Sequence, residues 1–321
     1  MSKHLIVTGA AGFIGAHICK ELIKLDYSVL GIDNLTYGSE ERLQSIADST
    51  KFTFINADAA EINEIVFGGA DGLIHLASEK IPRYSSGWDT LEKNQQVSDA
   101  VLKYCIEHQC KLYFASTSDV YGKNQIIPFS EKSDCVLGSS LNKRWTYAGS
   151  KLHTELKISA AQHEFGIEFQ IMRFFGCYGP SMSSGWRSGP QQVFFEKAIN
   201  GEPLEIHGDG SQTRTYIYID DLVSGVISLI QNDEVESGIW NFCSDATQEL
   251  TVMDLAKKIW YLVNESKAFE HIIIPYTQFG NYEDVLRRVG SAAKAAALLN
   301  WDAKVGLDEG LILTYQSMLE P

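Results

Sequence analysis

Cysteine is scarce in this chain, and its placement excludes the usual uses of the residue. The six copies, Cys19, Cys105, Cys110, Cys135, Cys177 and Cys243, form no C-x-x-C pair and no metal-ligand spacing. Neither a metal centre nor a disulfide framework is expected of them, and reduced thiols suit a cytosol. Basic residues are outnumbered, 27 against 41 acidic ones, for a formal charge of −14; a surface so negative disfavours loose binding to nucleic acid or to an anionic membrane. There is no long run of either sign, no repeat and no low-complexity tract. No apolar run approaches membrane-spanning length. The first strand begins within four residues of Met1 and leaves no room for a signal peptide, so a soluble, cytoplasmic protein is expected.

What the chain does have is a glycine-punctuated turn, VTGAAGFIG, at residues 7–15, within 321 residues that can bury a large core. His4–Val7 reads as a buried strand and Phe13–Leu25 as a helix with apolar positions at helical spacing. Between them the backbone must turn sharply and approach a ligand closely, which Gly9, Gly12 and Gly15 allow. The first turn of the helix, with Phe13 and Ile14, then offers N–H groups and a positive dipole end to a pyrophosphate. A second strand, Tyr27–Ile32, leads to Asp33, eighteen residues past Gly15. A carboxylate there, with Asn34 beside it, accepts hydrogen bonds from an adenosine ribose and repels a 2′-phosphate, so NAD is the expected cofactor rather than NADP.

Alternation of strand and helix continues. Phe52–Asn56, Gly72–Leu76, Lys111–Ser116 and Ile167–Phe174 read as buried strands, and Trp88–His108 and Asn142–Phe165 as the two longest helices. This pattern predicts an α/β fold: a Rossmann-type, doubly wound parallel sheet with ligands at the carboxyl ends of its strands. Asp58, Leu76, Ala77, Ser78 and the run Ser116 to Asp119 fall just after such ends. After Gly179-Pro180 the chain turns glycine- and serine-rich, with a turn-rich segment GDGSQTR at 208–214. We expect residues 1–179 to form the cofactor domain, part of the chain after 215 to return to it, and 180–321 to form mainly a smaller C-terminal α/β substrate lobe.

Chemistry is suggested by Tyr147 and Lys151, four residues apart near the start of a helix and so on one face. An ammonium there, with the positive ring of an oxidised cofactor, lowers the phenol's pKa towards neutrality, so that the phenolate takes a proton from an alcohol as hydride leaves the same carbon. In STSDVYG, residues 116–122, Thr117 is placed to hydrogen-bond the same substrate oxygen, and Asp119 is a candidate acid or base at a neighbouring sugar carbon. His75 and His207 have no ligand cluster and read as structural; Cys177 reads as core.

TGAAGFIG with Asp33, STSDVYG, the Y-x-x-x-K pair and GDGSQTR together resemble the extended short-chain dehydrogenase/reductase family, specifically its nucleotide-sugar epimerases, dehydratases and decarboxylases. The resemblance runs to AKAAALLNW at 293–301. It implies that Tyr147 is the catalytic base, Lys151 its partner and ribose ligand, and Thr117 the hydroxyl at the sugar's C4 oxygen. It further implies that Asp58 contacts adenine, that Asn94 lines the cofactor, and that Arg214 and Arg288 clamp the substrate pyrophosphate. It predicts a homodimer through the two long helices and a nucleoside-diphosphate sugar, UDP-linked, as substrate. One departure stands out: RFFGCYGP, 173–180, carries Gly176 where the family has an asparagine that touches the substrate diphosphate. Arg83, Tyr84, Arg187 and Gln192, in less familiar loops, are further candidates for contact with the sugar. C4 epimerisation ranks first. Decarboxylation of a UDP-glucuronate, with Arg83 or Arg187 near C6, or 4,6-dehydration using Asp119 are alternatives, and a non-catalytic NAD sensor is a third.

Overall fold

A computed structural model describes residues 3–80, 84 and 86–319. Seven parallel strands form the main sheet, in the order Gly238–Phe242, Phe169–Phe174, Lys111–Thr117, Gly72–His75, His4–Thr8, Ser28–Asp33, Phe52–Asn56. Successive side chains on a strand face opposite ways, and the first strand shows the result. Leu5 and Val7 enter one apolar core with Ile18, Leu22, Leu222 and Val226, while Ile6 enters the other with Val101, Tyr104, Ile158 and Ala161. Both faces are therefore covered by helices, which is why the strands read as continuous apolar runs rather than alternating ones. Burying each Ile or Leu of this kind contributes roughly 1.5–3 kcal/mol.

Local chemistry sets the helix ends. Ser86 caps Gly87–His108 by accepting from the Asp89 N–H, and Thr251 caps Val252–Asn264 by accepting from Asp254 N–H. Gly166, at φ +72°, ends Trp145–Phe165 in the left-handed conformation that glycine adopts without strain. That helix begins three residues later than the expected Asn142, because the Asn142 side chain accepts from the Arg144 N–H and holds a turn there.

The strand order reverses between His4–Thr8 and Gly72–His75, and a crevice opens at the carboxyl ends there. Short strands beyond residue 175 roof part of it. Tyr216–Tyr218 pairs in parallel with Gly176–Tyr178. Within the turn-rich 208–214 segment, Thr213–Arg214 is a strand, antiparallel to Leu250–Thr251 and parallel to Arg287–Arg288, with Arg288 in register with Arg214. Leu204–His207 pairs with His271–Ile274. The tail forms Ala293–Leu299 and Leu307–Leu319, broken after Asn300 at φ +51°. Among the described residues no helix is long and apolar enough to cross a membrane.

Candidate active site

The glycine turn is a cradle with no room for side chains. A Cβ on Gly15 would lie 2.0 Å from the Gly9 carbonyl oxygen, and one on Gly9, whose φ is +75°, would lie 2.8 Å from the Ala77 nitrogen. Turn, helix and the loop after the fourth strand thus meet backbone to backbone. The helix start at Gly12 has no side-chain cap and borders a cavity of about 870 Å³. Every candidate cofactor residue lines that cavity: Gly9, Gly12, Phe13, Ile14, Gly15, Asp33, Asn34, Asp58, Leu76, Ala77, Ser78, Asn94, Ser116, Tyr147 and Lys151. The Asp33 carboxylate accepts from Ala11 N–H at 3.0 Å and Leu35 N–H at 2.9 Å. Asp58 accepts from the Asn34 amide at 2.8 Å. A bare helix start for a pyrophosphate and an acid at the second strand's end fit a dinucleotide without a 2′-phosphate.

Tyr147, Lys151 and Glu155 follow one another at four-residue spacing. The Lys151 ammonium donates to the Ala115 carbonyl at 2.8 Å. Its pKa is lowered to about 7, chiefly by burial, with Glu155 acting to raise it and Lys80 to lower it further. Burial pushes the Tyr147 phenol up to about 12, while hydrogen bonds with Thr117 and Ser78 pull it down. Without the positive ring of an oxidised cofactor, Lys151 spends its ammonium on a backbone carbonyl and the phenol keeps its raised pKa. Glu155 is buried and accepts a two-point contact from Arg173, Nη2 at 2.6 Å and Nε at 3.1 Å, together with a hydrogen bond from the Ser116 hydroxyl. It fixes the helix against the strand that ends in Thr117. Asn94 does the same on the other side, bonding both the N–H and the carbonyl of Glu79 and the Ser150 hydroxyl.

Asp119 lines the cavity but is not a free carboxylate. Arg144 Nη2 donates to its Oδ1 at 2.9 Å, and Arg288 Nη1 pairs with the same oxygen. Arg144 Nε lies 3.8 Å from Asp284 Oδ1, and Arg214 Nη2 lies 3.2 Å from that same atom. Arg214 also donates through Nη1 to the Thr213 carbonyl. The two arginines expected at the substrate pyrophosphate thus sit side by side with a third, Arg144, that sequence reasoning did not single out, interleaved with two carboxylates.

Other expectations need adjustment. Gln192 is turned from the cavity and donates to Glu196, and its neighbour Gln191 takes the place on the wall. Arg187 pairs with Glu79 at 3.4 Å and stacks on the Tyr37 ring, while Tyr37 donates to Glu79 at 2.8 Å. Arg42 reaches across from the first half of the chain to the carbonyls of Ala11 and Ser181 and to the Ser183 hydroxyl. Cys177 packs against the main apolar core, as expected, and also borders the cavity near Lys80. Lys80 is open to the cavity yet enclosed by protein, which lowers its pKa. Glu79 and Lys80 escaped the sequence reading, although the pair directly after HLAS at a strand end was the available signal. His75 is structural as expected, bonded to Thr8 and Ser98 with its pKa lowered to about 3 by burial. His207 is likewise buried and packed, its ring stacked 3.9 Å from Trp186, and it borders the cavity. Arg83 lies outside the described residues. Among them no group of three or more His, Cys, Asp or Glu could hold a metal ion.

A doubly wound sheet with a glycine cradle, and a tyrosine–lysine pair beside it, define a dinucleotide-dependent enzyme of the extended short-chain dehydrogenase/reductase kind. The chain belongs to the NAD dependent epimerase/dehydratase family, whose pattern it matches over residues 5–243. It is 29% identical to the UDP-N-acetyl-alpha-D-glucosaminuronate decarboxylase of Bacillus cytotoxicus over 98% of both chains. Among solved structures it is similar to the UDP-glucose 4-epimerase of Thermotoga maritima, with a TM-score of 0.85 at 26% identity over 98% of both chains. It is equally similar to the UDP-glucuronic acid 4-epimerase of Bacillus cereus, with a TM-score of 0.85 at 25% identity over 98% of this chain and 99% of that one. The family is NAD-dependent and modifies nucleotide sugars, so an NAD sensor without catalysis is set aside.

Proposed function

We propose that the protein decarboxylates a UDP-linked hexuronate through a 4-keto intermediate. The observation that carries this reading is the charge at the substrate end of the cavity. Lys80, Arg144, Arg187, Arg214 and Arg288 line it against Glu79, Asp119 and Asp284, a surplus of cations that suits a diphosphate and one further carboxylate. Asp119, held by two arginines, is built to position guanidinium groups and is poorly placed to serve as the acid of a 4,6-dehydratase. The similarity to a uronate decarboxylase supports the same choice.

NAD held in the cradle would supply the acceptor, and later the donor, of a hydride at C4 of the sugar. Tyr147, as the phenolate that the positive ring of an oxidised cofactor favours, accepts the C4 hydroxyl proton, and Thr117 holds that oxygen. With C4 a ketone, the C6 carboxylate is that of a β-keto acid. The C5–C6 bond breaks, carbon dioxide leaves, and the electron pair passes to the C4 oxygen as an enolate, where the Tyr147 and Thr117 hydroxyls donate to it. C5 then takes a proton from water, and Tyr147 returns its proton to the C4 oxygen as the ketone is reduced again. Epimerisation at C4, ranked first from sequence, needs the same groups and differs in leaving C6 in place. Incubation with UDP-hexuronates and UDP-hexoses, followed by mass analysis, separates them: loss of one carbon dioxide supports decarboxylation, and unchanged mass with a new retention time selects epimerisation. Pairing of two copies through the long helices belongs to this reading, with Trp88 and Leu156 exposed on them; sedimentation tests it.

A further inference from the structure

The carboxylates at the substrate end of the cavity are already matched to arginines. Glu79 takes Arg187 at 3.4 Å and the Tyr37 hydroxyl at 2.8 Å, Asp119 takes Arg144 and Arg288, and Asp284 takes Arg214 at 3.2 Å. Lys80 is matched to none. It lines the same cavity and is exposed to it, yet its ammonium has no carboxylate partner and no hydrogen-bond acceptor among the described residues. Arg187 and Lys151 bear on it as fellow cations, and the Cys177 thiol beside it is kept protonated by burial. A cation enclosed among cations costs free energy until an anion reaches it. Its place in the chain says which anion. Ser78, two residues earlier, hydrogen-bonds the Tyr147 phenol, so the loop after Gly72–His75 sets Lys80 beside the group that acts at C4 of a sugar. In a hexuronate, C6 is joined to C4 through C5 alone and its carboxylate stays at that end of the site, whereas the diphosphate on C1 lies across the ring.

We propose that the Lys80 ammonium pairs with the C6 carboxylate of the substrate and makes Lys80 the residue that selects a hexuronate over the corresponding hexose. This rests on the hexuronate reading above and names the group that recognises the acid. A hexose puts a neutral hydroxymethyl group in the same place and leaves the ammonium unpaired. The test is Lys80→Met, with Lys80→Gln as a second variant, titrated calorimetrically with UDP-glucuronate, UDP-glucose and UDP. Parent and variants are loaded with NAD and all carry Tyr147→Phe, so that no ligand is turned over. The parent should bind UDP-glucuronate more tightly than UDP-glucose, and both variants should lose roughly ten- to a hundredfold in affinity for UDP-glucuronate alone. UDP affinity should hold, which also shows that each variant is folded with its site intact. A preference for UDP-glucuronate that survives in both variants overturns the assignment and leaves the hexuronate reading standing. An equal loss for all three ligands marks a structural role and overturns it too. A parent that binds UDP-glucose as tightly as UDP-glucuronate sinks the hexuronate reading, and the assignment with it.

Discussion

Replacing Asp119 by Asn separates an anchoring carboxylate from a proton-transferring one. The change preserves shape and removes one negative charge from between Arg144 and Arg288. Arg144 is only 4% exposed, and the next carboxylate oxygen is 3.8 Å from its Nε, so little is at hand to replace the lost partner. A pair of unit charges at such a distance is worth about 4 kcal/mol at the dielectric typical of partly buried sites. Breaking a buried pair by deleting one partner costs about 3 kcal/mol at the low end. The low end applies, since the amide oxygen still accepts a hydrogen bond and Asp119 keeps 13% side-chain exposure. Urea unfolding of Asp119→Asn should therefore lie about 3 kcal/mol below the parent, and KM for a UDP-hexuronate should rise as Arg144 and Arg288 lose their alignment. Both limbs of the pH–rate profile should persist. Unaltered stability and KM, with kcat collapsed and one limb of the profile gone, would refute the reasoning and make Asp119 the acid or base of the reaction.

Two further outcomes follow from the same geometry. Lys151 has a folded pKa near 7, below its unfolded value, so the unfolded chain binds more protons above that pH. Ligand-free stability should rise between pH 7 and 9 by up to roughly 1.4 kcal/mol per unit more in the parent than in Lys151→Met, and parallel slopes would remove the depressed lysine. Gly15→Ala forces a methyl group onto the Gly9 carbonyl oxygen, so NAD affinity measured by titration should fall at least tenfold, a loss of about 1.4 kcal/mol; wild-type affinity would mean that the cradle is not where the pyrophosphate sits.

The strands, the two long helices and the cradle were legible because they repeat a pattern over many residues. Val7, Gly9 and Gly15 carry information locally, and Tyr147 with Lys151 lies within a single helical turn. Less was legible where function depends on pairing across the chain. Arg288 meets Asp119 from 169 residues away, and no spacing rule joins them. Strands of two residues, such as Thr213–Arg214, are too short to show a period, so the alignment of Arg214 with Arg288 had no signature. The partner of Lys151 was not legible either: proximity of a tyrosine in sequence does not say which acceptor the ammonium chooses, and here it is the Ala115 carbonyl.

Arg42 and Arg187 stitch the first half of the chain to residues 181–188, the one through Ser181 and Ser183, the other through Tyr37 and Glu79. Those bonds fix one wall of the crevice, which Tyr37, Glu79, Ser183 and Arg187 line. In the proposed reaction the oxidant is restored at the end of each round, so a wall held fixed in this way has no need to open between turnovers.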